Sequence, residues 1–223
     1  MNNNLEIRNF SLELRADVES RLISGLAIPV ESRSFLLGDF YEIITRGALN
    51  DETISSNDIK LYLDHNPSSG TYARSKFGVG SLKLILTERG LEFSFNAPKT
   101  VFGDALLEGI SRGDFDACSF AFSVKDEHWD PNPDGTYTRS ILSFDAIDEI
   151  SILSQMPAYP QTNVAKRSLE SYKEEVRAKE EAEKQAQVES LKKIAEIEDN
   201  TIGGTGDAKE DKNNVEQENE QES

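Results

Sequence analysis

Alternation of apolar and small polar side chains at residues 116–124 is the feature that most constrains the fold. A period of two is typical of a β-strand whose two faces meet different surroundings. One predicted face carries Cys118, Phe120, Phe122 and Val124, and the other carries Ser119, Ala121 and Ser123. When the aromatic face packs against a core, Ser119 points away from it, and its hydroxyl is available for chemistry.

Other segments have the patterns of strands, turns and short helices. Strands are predicted at residues 22–30, 40–44, 59–65 and 137–152, a hairpin at 82–95, a helical turn at 51–55 and a helix at 101–111 that ends at Gly113. Residues 5–20 are mixed, and either a first strand or a flexible lead suits them. Together these segments favour an α+β body.

Charge divides the chain of 223 residues into two parts. Residues 1–167 carry a net charge of −8, whereas residues 168–223 carry −9 in a third of that length. The second part is rich in Glu, Lys, Ala and Gln up to residue 199, which predicts a charged helix whose apolar stripe is interrupted midway. Beyond it, residues 200–223 are mostly Gly, Glu, Asp, Asn and Gln, so we expect a disordered acidic tail.

Composition also excludes several classes of protein. The net charge of −17 argues against nucleic-acid binding, because phosphate contacts need clustered Lys and Arg. No segment approaches the length of apolar residues that a membrane span needs, and the N-terminus lacks a secretory signal, which predicts a cytoplasmic protein. One cysteine and two distant histidines give no metal-ligand spacing, so we expect no metal and no cofactor.

Ser119 needs a general base to become a nucleophile, and imidazole is the usual base near neutral pH. His65 ends a predicted apolar strand just before a turn at residues 66–70, a position from which side chains often line a cleft. His128 lies among carboxylates beside a proline-containing loop, which is typical of a solvated position. Ordinary structural or exposed roles are also compatible with Ser119 and with each histidine.

The remaining partner would be a carboxylate that orients the base. On the last predicted strand, Glu149 lies on the face opposite Ile150, so it can reach the cleft that holds Ser119. Asp145 and Asp148 are alternatives nearby, and each carboxylate is also compatible with simple solvation.

Six short segments, in order along the chain, resemble the prohead proteases of tailed phages, capsid-maturation proteases that are similar in fold to herpesvirus assemblin. The segments are Gly25-Leu26-Ala27, Glu42-Ile43-Ile44 with Gly47-Ala48-Leu49, Leu63-Asp64-His65-Asn66, Gly90-Leu91-Glu92-Phe93, Cys118-Ser119-Phe120-Ala121-Phe122, and Glu149-Ile150-Ser151 followed by Pro157-Ala158-Tyr159-Pro160-Gln161-Thr162. The resemblance covers about residues 20–167.

With this resemblance, we expect a mostly antiparallel, barrel-like sheet flanked by helices. The expected organisation is a lead at residues 1–20, a protease domain at 21–167, the charged helical segment at 168–199 and the tail at 200–223. The resemblance implies His65 as general base, Ser119 as nucleophile and Glu149 as third member, although assemblin has a second histidine in that role.

The resemblance also implies a setting and partners. A serine endopeptidase of this kind is packaged inside the immature capsid in the host cytoplasm. There it cuts the scaffold, or the scaffold-like extension of the major capsid protein, and often itself. A homo-oligomer is compatible with the sequence. Two alternatives stay open: an inactive scaffold or assembly protein of the procapsid, and a cysteine hydrolase that uses Cys118.

Overall fold

The computed structural model describes residues 4–11, 14–155 and 163–202. The chain divides into two compact units, residues 1–172 and residues 173–223. Strands and the proposed site belong to the first unit. In the described part of the second unit, residues 173–202, the chain continues as helix.

Eleven strands and three α-helices make up the described part of the chain. In chain order the strands are β1 Glu6–Ser11, β2 Leu14–Asp17, β3 Leu22–Pro29, β4 Phe40–Ile44, β5 Asp58–Leu63, β6 Ala73–Lys76, β7 Val79–Gly80, β8 Lys83–Thr87, β9 Gly90–Asn96, β10 Ala117–Pro131 and β11 Tyr137–Leu153. The helices are α1 Asp51–Ser55, α2 Val101–Arg112 and α3 Asn163–Ile202, with short 3₁₀ helices at Arg46–Ala48 and Pro67–Ser69.

These strands form two sheets. The larger has seven strands in the order β1-β10-β11-β5-β6-β7, with β4 also paired to β11, and the smaller has the order β2-β3-β9-β8. Most neighbours are antiparallel, but β11 pairs in parallel with both β4 and β5. The α+β class is confirmed; the larger sheet is mixed, and the smaller sheet is antiparallel throughout.

The prediction of a barrel-like sheet was wrong, because the described strands form no closed barrel. β1 and β7 end the larger sheet without pairing to each other, and the smaller sheet stays separate. Apolar side chains of both sheets instead meet in one core, to which α2 adds a buried stripe. Stacking the two sheets removes their apolar faces from water without closing either of them.

Local signals explain where several elements begin and end. The Thr100 side chain accepts a hydrogen bond from the Gly103 amide and caps the start of α2. Gly113 ends α2 in a left-handed conformation, with φ +78°. In the β8–β9 turn, Gly90 has φ +133°, and a Cβ there would lie 2.0 Å from the Ile28 carbonyl oxygen. Glycine is therefore required at that turn.

The long β10–β11 hairpin is bent by repeated bulges. Ala121 pairs with Glu149 and Phe122 with Ile147, so Asp148 is an extra residue on β11. Further shifts of register follow towards the turn. Bulges sharpen the twist of a strand pair and can redirect individual side chains near a functional site.

The N-terminal residues, for which a lead was predicted, contain two strands. β1 pairs antiparallel with β10, and β2 pairs with β3. The strand predicted to extend through His65 ends at Leu63, because the chain turns sharply there.

At the other end of the first unit, α3 begins on a small second core. Ala165 and Leu169 of α3 pack there with Leu37, Phe40 and Trp129. The charged helix at 168–199 and the disordered tail at 200–223 stay predictions: α3 runs through the former, and residues 203–223 lie outside the described ones.

Among the described residues, no helix combines the length and the apolar character needed to cross a membrane. The same residues contain no group of three or more His, Cys, Asp or Glu side chains that could hold a metal ion.

Candidate active site

Three neighbouring strands of the larger sheet bring the predicted site residues together. β11 lies in the middle, with Ser151 opposite Ser119 of β10 on one side. On the other side β11 runs parallel to β5, and Ile152 is aligned with Leu63, the last residue of β5. His65, two residues beyond that strand end, therefore lies beside the stretch of β11 that faces Ser119.

Ser119 is fully buried, contrary to the idea of an exposed strand face. Its Oγ lies 2.6 Å from His65 Nε2 and 3.0 Å from the Arg8 carbonyl oxygen of β1. A hydroxyl has one proton, which it can donate either to the imidazole or to the carbonyl. Donation to His65 Nε2 is the arrangement that prepares Oγ for attack.

The second ring nitrogen of His65 contacts a carboxylate. Nδ1 is hydrogen-bonded to Glu149 Oε1, and both side chains are mostly buried, with 21% and 16% of their surfaces exposed. A carboxylate that accepts the Nδ1 proton holds the neutral ring in the tautomer whose Nε2 is a free acceptor. The Nε2 lone pair then faces Ser119.

The backbone that presents His65 is unusual. Asp64 and His65 have φ values of +53° and +55°, the left-handed region that residues other than glycine rarely adopt. The Asp64 amide donates to the Ile152 carbonyl at 2.9 Å, and the Asp64 carboxylate accepts from the amide and hydroxyl of Ser154. These bonds fasten the turn to the end of β11.

The contacts from Ser119 through His65 to Glu149 have the geometry expected of a nucleophile, a base and a group that orients the base. The same order of roles recurs in serine hydrolases on unrelated folds, so geometry alone does not identify a family.

Comparison with known proteins decides the family. A model of the caudovirus prohead serine proteases matches residues 10–175. The chain belongs to this family. It is thus a serine protease of bacteriophage capsid maturation, as the resemblance in the sequence implied.

A solved structure resembles the protease only distantly. Its structure is similar to one titled "Structure of the bacteriophage T4 capsid assembly protease, gp21", with 11% sequence identity and a TM-score of 0.39. The match covers 68% of this protease and 99% of the T4 chain. No curated protein sequence matches significantly.

The alternative candidates for the base and for the orienting carboxylate of the protease lie away from the contact between Ser119 and His65. His128 is exposed and contacts Asp130 at 3.1 Å. Asp145 accepts a long hydrogen bond of 3.5 Å from Ser123, and Asp148 is exposed at the bulge. Partial desolvation raises the pKa of Asp148, Lys60 opposes this, and the charges of Glu149 and Asp145 add to it.

Cys118 lies in the main core, on the face of β10 opposite Ser119. Its side chain is fully buried, and this desolvation raises the pKa of its thiol to about 12. Near neutral pH the thiolate required of a cysteine nucleophile is therefore almost absent. The structure gives the cysteine-hydrolase alternative no support.

Sequence reasoning missed the groups that surround these three side chains. The Arg8 carbonyl belongs to a segment predicted to be a lead or a first strand. Every residue has a backbone carbonyl, so the sequence does not indicate which one contacts Ser119. Ser151 and Asp64 lay inside the segments that carried the family resemblance, but nothing in their spacing indicated a role beyond it. Their contacts depend on the parallel pairing of β5 with β11.

Proposed function

We propose that this protein is a serine endopeptidase that cleaves the scaffold, or the scaffold-like extension of the major capsid protein, during prohead maturation. It acts through Ser119, His65 and Glu149, and self-cleavage belongs to the same proposal. The observation that carries it is the hydrogen-bonded contact of Ser119 Oγ with His65 Nε2 at 2.6 Å, in a member of the prohead protease family.

The chemistry begins with proton transfer. His65 Nε2 takes the proton of Ser119 as Oγ attacks the peptide carbonyl carbon, and the developing imidazolium is stabilised by the Glu149 carboxylate. The C–N bond then breaks as His65 gives its proton to the leaving amine, which leaves an acyl-enzyme. Water attacks this ester with His65 again as base, the carboxylic acid departs, and the proton returns to Ser119.

A peptide carbonyl has to come within about 3–3.5 Å of Oγ before it can react. Because Ser119 is fully buried, a neighbouring segment has to move before a substrate can reach this distance.

The proposed partners are the major capsid protein and the scaffold, and the proposed location is the interior of the prohead in the host cytoplasm. The charged C-terminal segment would dock the protease on the scaffold or serve as a target for self-cleavage. A fold similar to that of assemblin and a homo-oligomeric state stay predictions.

The test is Ser119→Ala expressed beside the wild type together with the capsid precursor. We expect the wild type to shorten the precursor or itself, and the variant to leave both at full length, because alanine has no nucleophilic oxygen. Intact mass spectrometry of the products is the measurement.

The matched control is Ser123→Ala. It removes a buried hydroxyl of the same strand that is hydrogen-bonded to Asp145 and not to His65. This variant should process normally. Identical products from wild type and Ser119→Ala would refute the proposal and favour an inactive assembly protein.

A further inference from the structure

We infer that Ser151 is a positioning residue of this site, whose hydroxyl holds the base and its orienting carboxylate in one arrangement. The inference rests on the proposed function and deepens it, because it assigns a role to a fourth side chain.

The contacts of the Ser151 hydroxyl carry the argument. Ser151 is fully buried, and its Oγ accepts a hydrogen bond from the His65 backbone amide at 3.2 Å. The same hydroxyl donates to Glu149 Oε1 at 3.5 Å, and this oxygen also contacts His65 Nδ1. One buried group thus links the backbone of the base to the carboxylate that orients its ring.

Ser151 itself lies on a strand of the sheet and not on a loop. Ser151 lies on β11, directly opposite Ser119 on β10 and aligned with Tyr62 on β5. It therefore stands on the strand between the nucleophile and the base, where the pairing of both neighbours fixes its position. Groups placed on strands hold a site more rigidly than groups placed on loops.

The strained turn at Asp64 and His65 explains why such a link is needed. Two successive left-handed residues persist only where surrounding contacts hold them. Asp64 is held by Ile152 and by Ser154, and the hydrogen bond from the His65 amide to Ser151 extends this hold to His65 itself. Without the Ser151 hydroxyl, the amide loses this acceptor and the ring is free to shift from Ser119.

Catalysis is sensitive to such shifts, since a displacement of about 1 Å can cost roughly 100-fold in rate. We expect Ser151→Ala to lower kcat about 10- to 100-fold with little change in KM, because the residue acts on the base and not on the substrate. Ser143→Ala removes a partly buried hydroxyl from the same strand outside the site and should keep the wild-type kcat.

A second measurement does not depend on activity. The chain has two histidines, so the imidazole N–H resonances of ¹⁵N-histidine-labelled full-length protein can be assigned with His128→Gln. We expect the Nδ1 proton of His65, held by Glu149, to resonate far downfield and exchange slowly. Ser151→Ala should broaden or shift this resonance. All these samples carry Ser119→Ala, so that the chain stays intact.

These readouts separate the two proposals. An unchanged kcat and an unchanged His65 resonance in Ser151→Ala would overturn the positioning role while the protease function stands. A wild type without peptidase activity would overturn the function, and the resonance would still decide the positioning role. If Ser151→Ala does not fold, Ser151→Cys, which is close in size and a weaker acceptor, decides by the same resonance.

Discussion

At the scale of the residue, the proposed chemistry depends on which carboxylate meets one imidazole. Three acidic residues near the end of β11 were candidates, and among them Glu149 contacts His65. Asp148 is adjacent to Glu149 in sequence, but it is the extra residue of a bulge and its side chain is exposed. A single bulge thus separates two neighbouring carboxylates into different environments.

Glu149→Gln should lower kcat by about 100- to 10,000-fold, because an uncharged amide neither stabilises the imidazolium nor fixes the ring tautomer. Kinetics on a peptide that the wild type cleaves would measure this loss. Asp148→Asn is the matched control, since it removes the neighbouring charge without a contact to His65, and its kcat should stay within about threefold. Equal losses in both variants would contradict the assignment of Glu149.

At the scale of the element, a buried group of charges fastens β1 to the sheet. Arg8 of β1 pairs with Glu6 and with Glu42 of β4, and Arg139 of β11 pairs with both glutamates and with Glu127. These ion pairs add little to the free energy of folding compared with apolar side chains of similar volume. Removal of one member is nevertheless destabilising, because it leaves a buried charge uncompensated. The same strand supplies the Arg8 carbonyl that contacts Ser119.

These pairs make stability dependent on pH. Burial disfavours the Glu6 carboxylate, but the hydrogen bond and charge of Arg139, followed by the charge of Arg8, lower its pKa below the ordinary value of 4.5. A lowered pKa in the folded state gives stability that is present above the ordinary pKa and is lost as pH falls through the folded value.

Glu6→Gln should therefore lower the free energy of unfolding near pH 7 by about 3 kcal/mol, and the variant should melt at a lower temperature than the wild type. The difference in melting temperature should shrink as pH falls below about 4.5, because the Glu6 carboxylate of the unfolded chain takes up its proton there while that of the folded protein is still charged. Thermal unfolding followed by circular dichroism across this range is the measurement. Glu88→Gln, at an exposed turn, should show no such convergence. A difference that grows towards acid pH would contradict the role of the Glu6 charge.

At the scale of the whole molecule, the boundary between the two compact units lies within α3. The first turns of this helix belong to the folded body: Leu169 is 2% exposed, and the Ser168 hydroxyl donates to Glu127. The division into compact units falls after Tyr172, and the family match ends at residue 175. The predicted boundary at residue 167 lies within this packed segment.

Truncation after Tyr172 should therefore leave the stability and the peptidase activity of the body close to those of the full chain, while incorporation into proheads is impaired. Truncation after Arg167 also removes Leu169, and the loss of such a buried side chain should destabilise the body by about 3 kcal/mol. Thermal unfolding, peptide hydrolysis and recovery of protease from purified proheads measure these effects. Equal stability of the two truncations would contradict the packing of Leu169.

The sequence by itself determined part of the local structure: alternation at residues 116–124 predicted the first part of β10, the segment at 82–95 predicted the β8–β9 hairpin, and the segment at 101–111 with its end at Gly113 predicted α2. It also named Ser119, His65 and Glu149, whose catalytic roles stay predictions. Each of these signals lies within a few residues of the element it specifies.

Only the tertiary structure decided how the elements pair. The parallel pairing of β5 with β11, the two separate sheets, the burial of Ser119 and the place of Ser151 follow from contacts between residues far apart in the chain. Such pairings are fixed by the packing of a shared core and by long-range register. No period or turn signal in a single segment encodes either of them.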